Sequence, residues 1–160
     1  MSYLPIFLLF LTPVQEKPET PAITVVITEP ANTVPLTASA LAKLPRQSVK
    51  VPGRDGATLE YEGVPLVEVL KLAKVPVGEE LRGRAIAPVA VIAEATDKAK
   101  AVYALSEIDP AFTDKLILLA DKKDGKPLSA DEGPYRIVVP TDKRHARWLR
   151  QVIKLEVRKM

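Results

Sequence analysis

Fifteen prolines run through a chain of 160 residues that has only seven glycines. Each proline fixes φ, removes a backbone donor and breaks a helix interior. A chain punctuated this way favours many short strands and stiff connections over long helices. The apolar residues fall into brief runs between the turn signals. Ala22–Thr28 places Ile23, Val25 and Ile27 on one face and reads as the first strand. Glu29–Pro35 reads as a loop, and Thr37 as the cap of a short helix over Ala38–Lys43 that Pro45 ends. Gln47–Val51 and Thr58–Tyr61 flank Pro52-Gly53-Arg54-Asp55-Gly56, a hairpin signal in which Gly53 and the Asp55-Gly56 pair allow positive φ.

Pro65 stands near the first turn of a second helix, where Leu66, Val69, Leu70 and Ala73 share one face. Ala87–Ala93 reads as a central strand, Lys100–Leu105 and Leu116–Ala120 as further strands, and Ser106–Pro110 as a capped single turn. Asp121–Lys126 reads as an exposed hairpin loop, Arg136–Val139 as a strand and Lys143–Leu149 as a short helix or turn. Ile153, Leu155 and Val157 alternate with Lys154, Glu156 and Arg158 in a last, half-exposed strand. Strands in hairpin-like pairs with two or three short helices indicate an α+β fold, not a doubly wound parallel sheet.

Composition removes several functions. The apolar share of 47% and charged share of 27% suit a globular domain. A net charge of +3 and 5% aromatics give neither the basic footprint nor the stacking platforms of a nucleic-acid binder. There is no cysteine, so no disulfide, thiolate nucleophile, thiolate-bound metal or iron–sulfur cluster, and the single histidine, His145, rules out a histidine-rich metal site. Tyr3–Leu11 is strongly apolar but much shorter than the roughly 20 residues of a membrane-spanning helix. Residues 1–21 therefore read as an apolar export leader followed by the proline-rich linker Gln15–Pro21. Residues 22–160 read as one domain, with a periplasmic or secreted location.

The richest functional stretch is Gly133–Arg150. A Gly-Pro turn leads through a short strand to Pro140, and Lys143, Arg144, His145, Arg147, Trp148 and Arg150 then crowd one short segment. Arg offers a planar fork that matches phosphate oxygens, and Lys a compact charge, so the segment suits an anion. The plainer alternative is a solvated turn with Trp148 packed into the core. His145 titrates near neutral pH, and its neighbours Arg144 and Arg147 would disfavour its charged form. Arg136 either reaches toward a pocket or pairs with Asp131 or Glu132. Arg46 and Arg54 either contact an anion or solvate hairpin ends. The carboxylate pairs Glu79-Glu80, Glu107/Asp109 and Asp131-Glu132 come with neither a base nor a glycine-rich loop.

A set of motifs resembles the molybdopterin-binding domain of the sulfite oxidase family of oxidoreductases. They are Leu41-Ala42-Lys43-Leu44-Pro45-Arg46; Tyr61-Glu62-Gly63-Val64-Pro65-Leu66 with Val69-Leu70; Tyr103-Ala104-Leu105-Ser106-Glu107-Ile108; Leu118-Leu119-Ala120; Asp124-Gly125-Lys126-Pro127-Leu128; Gly133–Pro140; and Arg147-Trp148-Leu149. In that order they cover about Ala22–Val157. The resemblance implies a strand-rich mixed-sheet or barrel-like fold, and a pterin whose phosphate is held by the closing segment. On it, Arg136, Lys143, Arg144, His145, Arg147 and Trp148 are the candidate cofactor-binding residues and molybdopterin the candidate cofactor. The resemblance also implies a cysteine thiolate on molybdenum just after the LPR-like motif, where this chain has Ser48-Val49-Lys50-Val51-Pro52. Oxygen ligands are poor substitutes for a soft thiolate. Three readings stay open: a non-catalytic or accessory module binding a pterin-like or other anionic ligand or a protein partner, a molybdenum oxidoreductase with a non-cysteine or partner-supplied ligand, and a ligand-free interaction domain.

Overall fold

The computed structural model describes residues 19–81 and 83–160. The apolar Tyr3–Leu11 segment and most of the linker lie outside them. The strands are β1 (Pro21–Thr28), β2 (Ala31–Thr37), β3 (Gln47–Pro52), β4 (Thr58–Pro65), β5 (Val89–Ala95), β6 (Lys100–Ala104), β7 (Leu118–Lys123), β8 (Lys126–Pro127), β9 (Arg136–Val138) and β10 (Val152–Lys159), with helices α1 (Ala38–Ala42) and α2 (Leu66–Leu72). They form two mixed or antiparallel sheets. The first has the order β2-β1-β10-β5-β6, and the second β3-β4-β7-β8 with β9 also on β7. The α+β, strand-rich architecture expected from the sequence is the one observed.

The amphipathic signals fold as their periods dictate. Thr37 caps α1 by accepting from the Ala40 amide at 3.2 Å. Leu66, Val69 and Leu70 on α2 and Ala73 at its C-cap are each 0% exposed, the expected buried face of a 3.6-residue period. They join Val25, Val91, Tyr103, Leu118, Ile137 and Leu155 in one core between the sheets. The two ends of the domain meet there, since β1 pairs with β10 in parallel from Thr24↔Lys154 to Ile27↔Val157. No helix among the described residues is long and apolar enough to cross a membrane.

Three local expectations change. Glu29–Pro35 is not all loop, because Ala31–Thr37 forms β2 antiparallel to β1. This is an edge strand, mostly exposed and carrying Pro35, so it lacks the alternation that marks a half-buried strand. In Asp121–Lys126 only Asp124 and Gly125 form the turn, with φ of 50° and 77°, while β7 runs on to Lys123. The polar residues there belong to a strand end facing solvent and a cleft. In β10 the ladder slips between Val152 and Lys154. This bulge turns Ile153 outward, 41% exposed, and buries Val152 in its place.

Two close approaches shape the region that matters for function. A Cβ on Gly63 would lie 2.1 Å from the Leu119 carbonyl oxygen, so β4 and β7 meet at a position only glycine fits. The segment after β9 folds back onto it. The Ile137 amide donates to Leu149 O at 2.9 Å, Val152 N to Tyr135 O at 3.0 Å, and Asp142 N to Val139 O at 3.0 Å. Residues 140–150 are thereby pinned beside β9, and they face the end of the β3–β4 hairpin across a cavity lined by both.

Candidate ligand-binding site

The β3–β4 turn is built by its own backbone. Gly53 N donates to Ala57 O at 2.6 Å, Gly56 adopts φ 82°, and Asp55 Oδ1 accepts from Ala57 N at 3.1 Å. This presents Arg54 toward the segment 140–150. Between them lie two adjoining cavities, one of about 760 Å³ and one of about 660 Å³. They share Gly53, Arg54, His145 and Trp148 and form one two-lobed cleft.

Trp148 anchors the shared wall. It is 4% exposed, and its indole Nε1 donates to Val139 O at 3.1 Å. Tyr61 meets it edge-on at 6.1 Å. His145 stacks on it at 3.6 Å and 14°. His145 itself lies in the single 3-10 turn His145–Arg147. Its pKa is lowered, first by burial and then by Arg136 and Arg54, against an opposing pull from Asp142. The expected direction holds, but the cations responsible are distant in sequence and not its neighbours Arg144 and Arg147.

The first lobe is lined by Arg54, Lys123, Arg136 and Arg150 among cations, with Asp55 and Glu132 opposite. Arg136 is the most buried of these, its side chain 11% exposed. Its Nη1 donates to Glu132 Oε1 at 2.6 Å and to Tyr61 Oη at 3.3 Å. Its guanidinium sits 5.5 Å from the Tyr61 ring and 5.8 Å from the Trp148 ring. Its buried Nε has no hydrogen-bond partner. A buried donor left unpaired costs about 1–3 kcal/mol, and the residue that carries it is one of those lining the cleft. Both alternatives weighed for Arg136 are thus met at once: it pairs with Glu132 and also lines a cavity.

The second lobe carries Arg54, Lys143 and Arg144 against Asp142. Arg147 already claims Asp142 through two contacts, at 3.2 and 2.9 Å. Among the described residues no acid pairs with Arg54, Lys143 or Arg144. The whole cleft holds six cations against three acids. That imbalance equals the chain's entire formal charge of +3. A charge too small to be informative when averaged over the chain becomes a concentrated field when it lines one concave surface.

Arg147 stands apart. Its guanidinium is held by Asp142 and, at 2.8 Å, by Glu107, and it lies 5.2 Å from the Tyr103 ring. Those carboxylates raise its pKa further. It lines neither lobe, and its backbone carbonyl accepts from the Tyr103 hydroxyl. Arg46 is likewise engaged, by Glu62 at 2.8 Å and by both oxygens of Asp121. Tyr61, Lys123 and Glu132 enter the site without having been singled out as site residues. Tyr61 was visible only as part of a motif, and Lys123 only as part of a polar turn. Arg54 was visible as a hairpin-end cation.

Residues 38–159 match the model of the oxidoreductase molybdopterin-binding domain. The chain belongs to this family. Among solved structures it is similar to the sulfane dehydrogenase SoxCD from Paracoccus pantotrophus, with a TM-score of 0.59 and 18% identity over 84% of this chain. At that identity the likeness carries the fold. The chain spans 37% of the SoxCD chain it matches. No curated protein matches it by sequence.

The family name raises the question of whether these residues suit molybdopterin. The phosphate of a pterin fits the donor set, given the unpaired cations and the open Arg136 N–H. The metal does not. The stretch that the resemblance aligns with the thiolate ligand does reach the cleft, through Val51, Pro52 and Gly53 in the second lobe. Val51 is apolar and 2% exposed, and the chain has no cysteine to offer. Among the described residues no group of three His, Asp or Glu side chains gathers to hold a metal ion.

Proposed function

We propose that this domain is a non-catalytic or accessory binding module whose cleft takes an anionic, pterin-phosphate-like ligand without supplying a ligand to molybdenum. The observation that carries the reading is the buried Arg136 Nε with no partner, beside a cationic cavity of about 760 Å³. An anion oxygen meets that donor and the field of Arg54 and Lys123 together, and a charge-assisted bond of this kind is about twice as strong as a neutral one. Molybdopterin, when bound, brings redox chemistry at its metal. The chain's own part in this reading is to grip the phosphate and to shelter one edge of the ring system against His145 and Trp148.

The test uses chain produced in a host that makes the cofactor, followed by metal analysis and fluorescence of acid-released pterin. The expected result is pterin without stoichiometric molybdenum, lost in Arg136→Gln. Molybdenum at one per chain would overturn the non-catalytic reading, and absence of both would favour a ligand-free domain. The apolar Tyr3–Leu11 segment supports export of the module. A full-length chain recovered from the cytosolic fraction of its host would refute that part.

A further inference from the structure

We infer that the natural ligand carries two separate anionic groups, one for each lobe, with its middle part lying against Arg54 and the His145–Trp148 stack. The inference rests on the cleft being a ligand site, and it adds the shape and charge of what fills it. The two cavities adjoin at Gly53, Arg54, His145 and Trp148, so one molecule lying over these residues reaches both. Each lobe is lined by more cations than acids, with Arg54 counted in both and Arg150 of the first also paired with Asp131 at 3.8 Å.

The cations at the two ends are different kinds of donor. Arg136 in the first lobe is buried and oriented by Glu132 and Tyr61, with one N–H unmet. Lys143 and Arg144 in the second lobe are exposed and have no acid partner among the described residues. A single phosphate at Arg136 would leave the second excess unanswered. Arg54 belongs to both lobes and is free to serve either group. The shared wall offers an imidazole face stacked on indole at 3.6 Å, a surface suited to a flat or apolar linking part. A ligand with one anionic group at each end satisfies both lobes at once. It also gains from effective concentration, because seating one end makes the second contact intramolecular.

The experiment titrates the full chain by calorimetry with inorganic phosphate, then with linear alkanediol bisphosphates of increasing length. The expected result is two phosphates per chain, and one bisphosphate length that binds one per chain about 100-fold or more tighter than phosphate. Arg136→Gln and the double variant Lys143→Ala/Arg144→Ala should each reduce phosphate to one per chain and bring the best bisphosphate down to phosphate affinity. The double variant changes only exposed side chains, so it keeps the test valid if Arg136→Gln fails to fold. A stoichiometry of one phosphate, or no bisphosphate tighter than phosphate, overturns the two-ended ligand while leaving the anion cleft intact. No phosphate binding at all refutes the cleft and the proposed function together.

Discussion

Glu132→Gln should move stability and affinity in opposite directions. Glu132 Oε1 accepts from Arg136 Nη1 at 2.6 Å and stands 3.5 Å from Lys123 Nζ, with its side chain 14% exposed. Glutamine keeps the shape and one acceptor oxygen and removes the charge. Breaking a fully buried pair costs about 3–5 kcal/mol. Here some solvent and one acceptor remain, so about 2 kcal/mol is expected, within the range for hydrogen bonds to charged groups. For a chain of this size that lowers Tm by about 4–8 °C. An anion accepting from Arg136 Nε would sit roughly 5 Å from the lost carboxylate, given ordinary hydrogen-bond lengths. Like charges at about 5 Å repel by about 0.8 kcal/mol in bulk water and about 3 kcal/mol at an effective dielectric of 20. The cleft is open to solvent, so the lower end governs, and phosphate Kd should fall about 4- to 10-fold. Calorimetric titration at low ionic strength and thermal melts of the same samples read both quantities, and added salt should shrink the gain. Unchanged or weaker phosphate binding in a folded Glu132→Gln variant would refute the placement of the anion beside Arg136.

His145 gives a pH signature. Its folded pKa lies below its ordinary value, so the unfolded chain binds its proton first. Its contribution to stability is complete above about pH 6.5 and is lost as pH falls from there through the folded pKa. Melts between pH 7.5 and 5 should show a loss in the native chain that is reduced in His145→Gln. Phosphate also gains a proton over this window, so the readout is the difference between the two chains: affinity should fall less with pH where the histidine is present than in His145→Gln. Arg147→Ala should behave differently from any cleft variant. It removes a network with Asp142 and Glu107 at a partly exposed side chain, worth about 1 kcal/mol after screening and about 2–4 °C in Tm, with phosphate affinity lowered only a few-fold by the freed Asp142 carboxylate in the second lobe. A large loss of phosphate binding in that variant would return Arg147 to the site.

Much of the fold is legible along the chain because its signals are local. The face Leu66, Val69, Leu70 and Ala73 follows from a 3.6-residue period, and the Gly53–Ala57 turn from glycine and Asx chemistry. β2 gave weak local evidence because an edge strand need not bury one face. Ile153 misled because a bulge changes which side of a strand faces in, and a bulge is decided by the partner strand. Within the closing segment, Lys143, Arg144, His145 and Trp148 do come together around the cleft, whereas Arg147, identical in type to Arg144, turns toward Glu107 and Asp142. Asp142 is only five residues away, but Glu107 is forty, and no short window contains that second partner.

The order of residues along the chain sets the chemistry available to this protein: the strand-rich frame, the absence of any thiolate, and a cluster of cations near Trp148. These follow from residue identity and short-range spacing. The tertiary structure decided where that chemistry acts. It carried Arg54 from one hairpin, Lys123 from a strand end and Arg136 from another strand to the same cleft, and it left one buried N–H without a partner. It also concentrated a net charge of +3 onto that single surface. Electrostatics and hydrogen bonding depend on distance in space, and only the folded chain sets those distances.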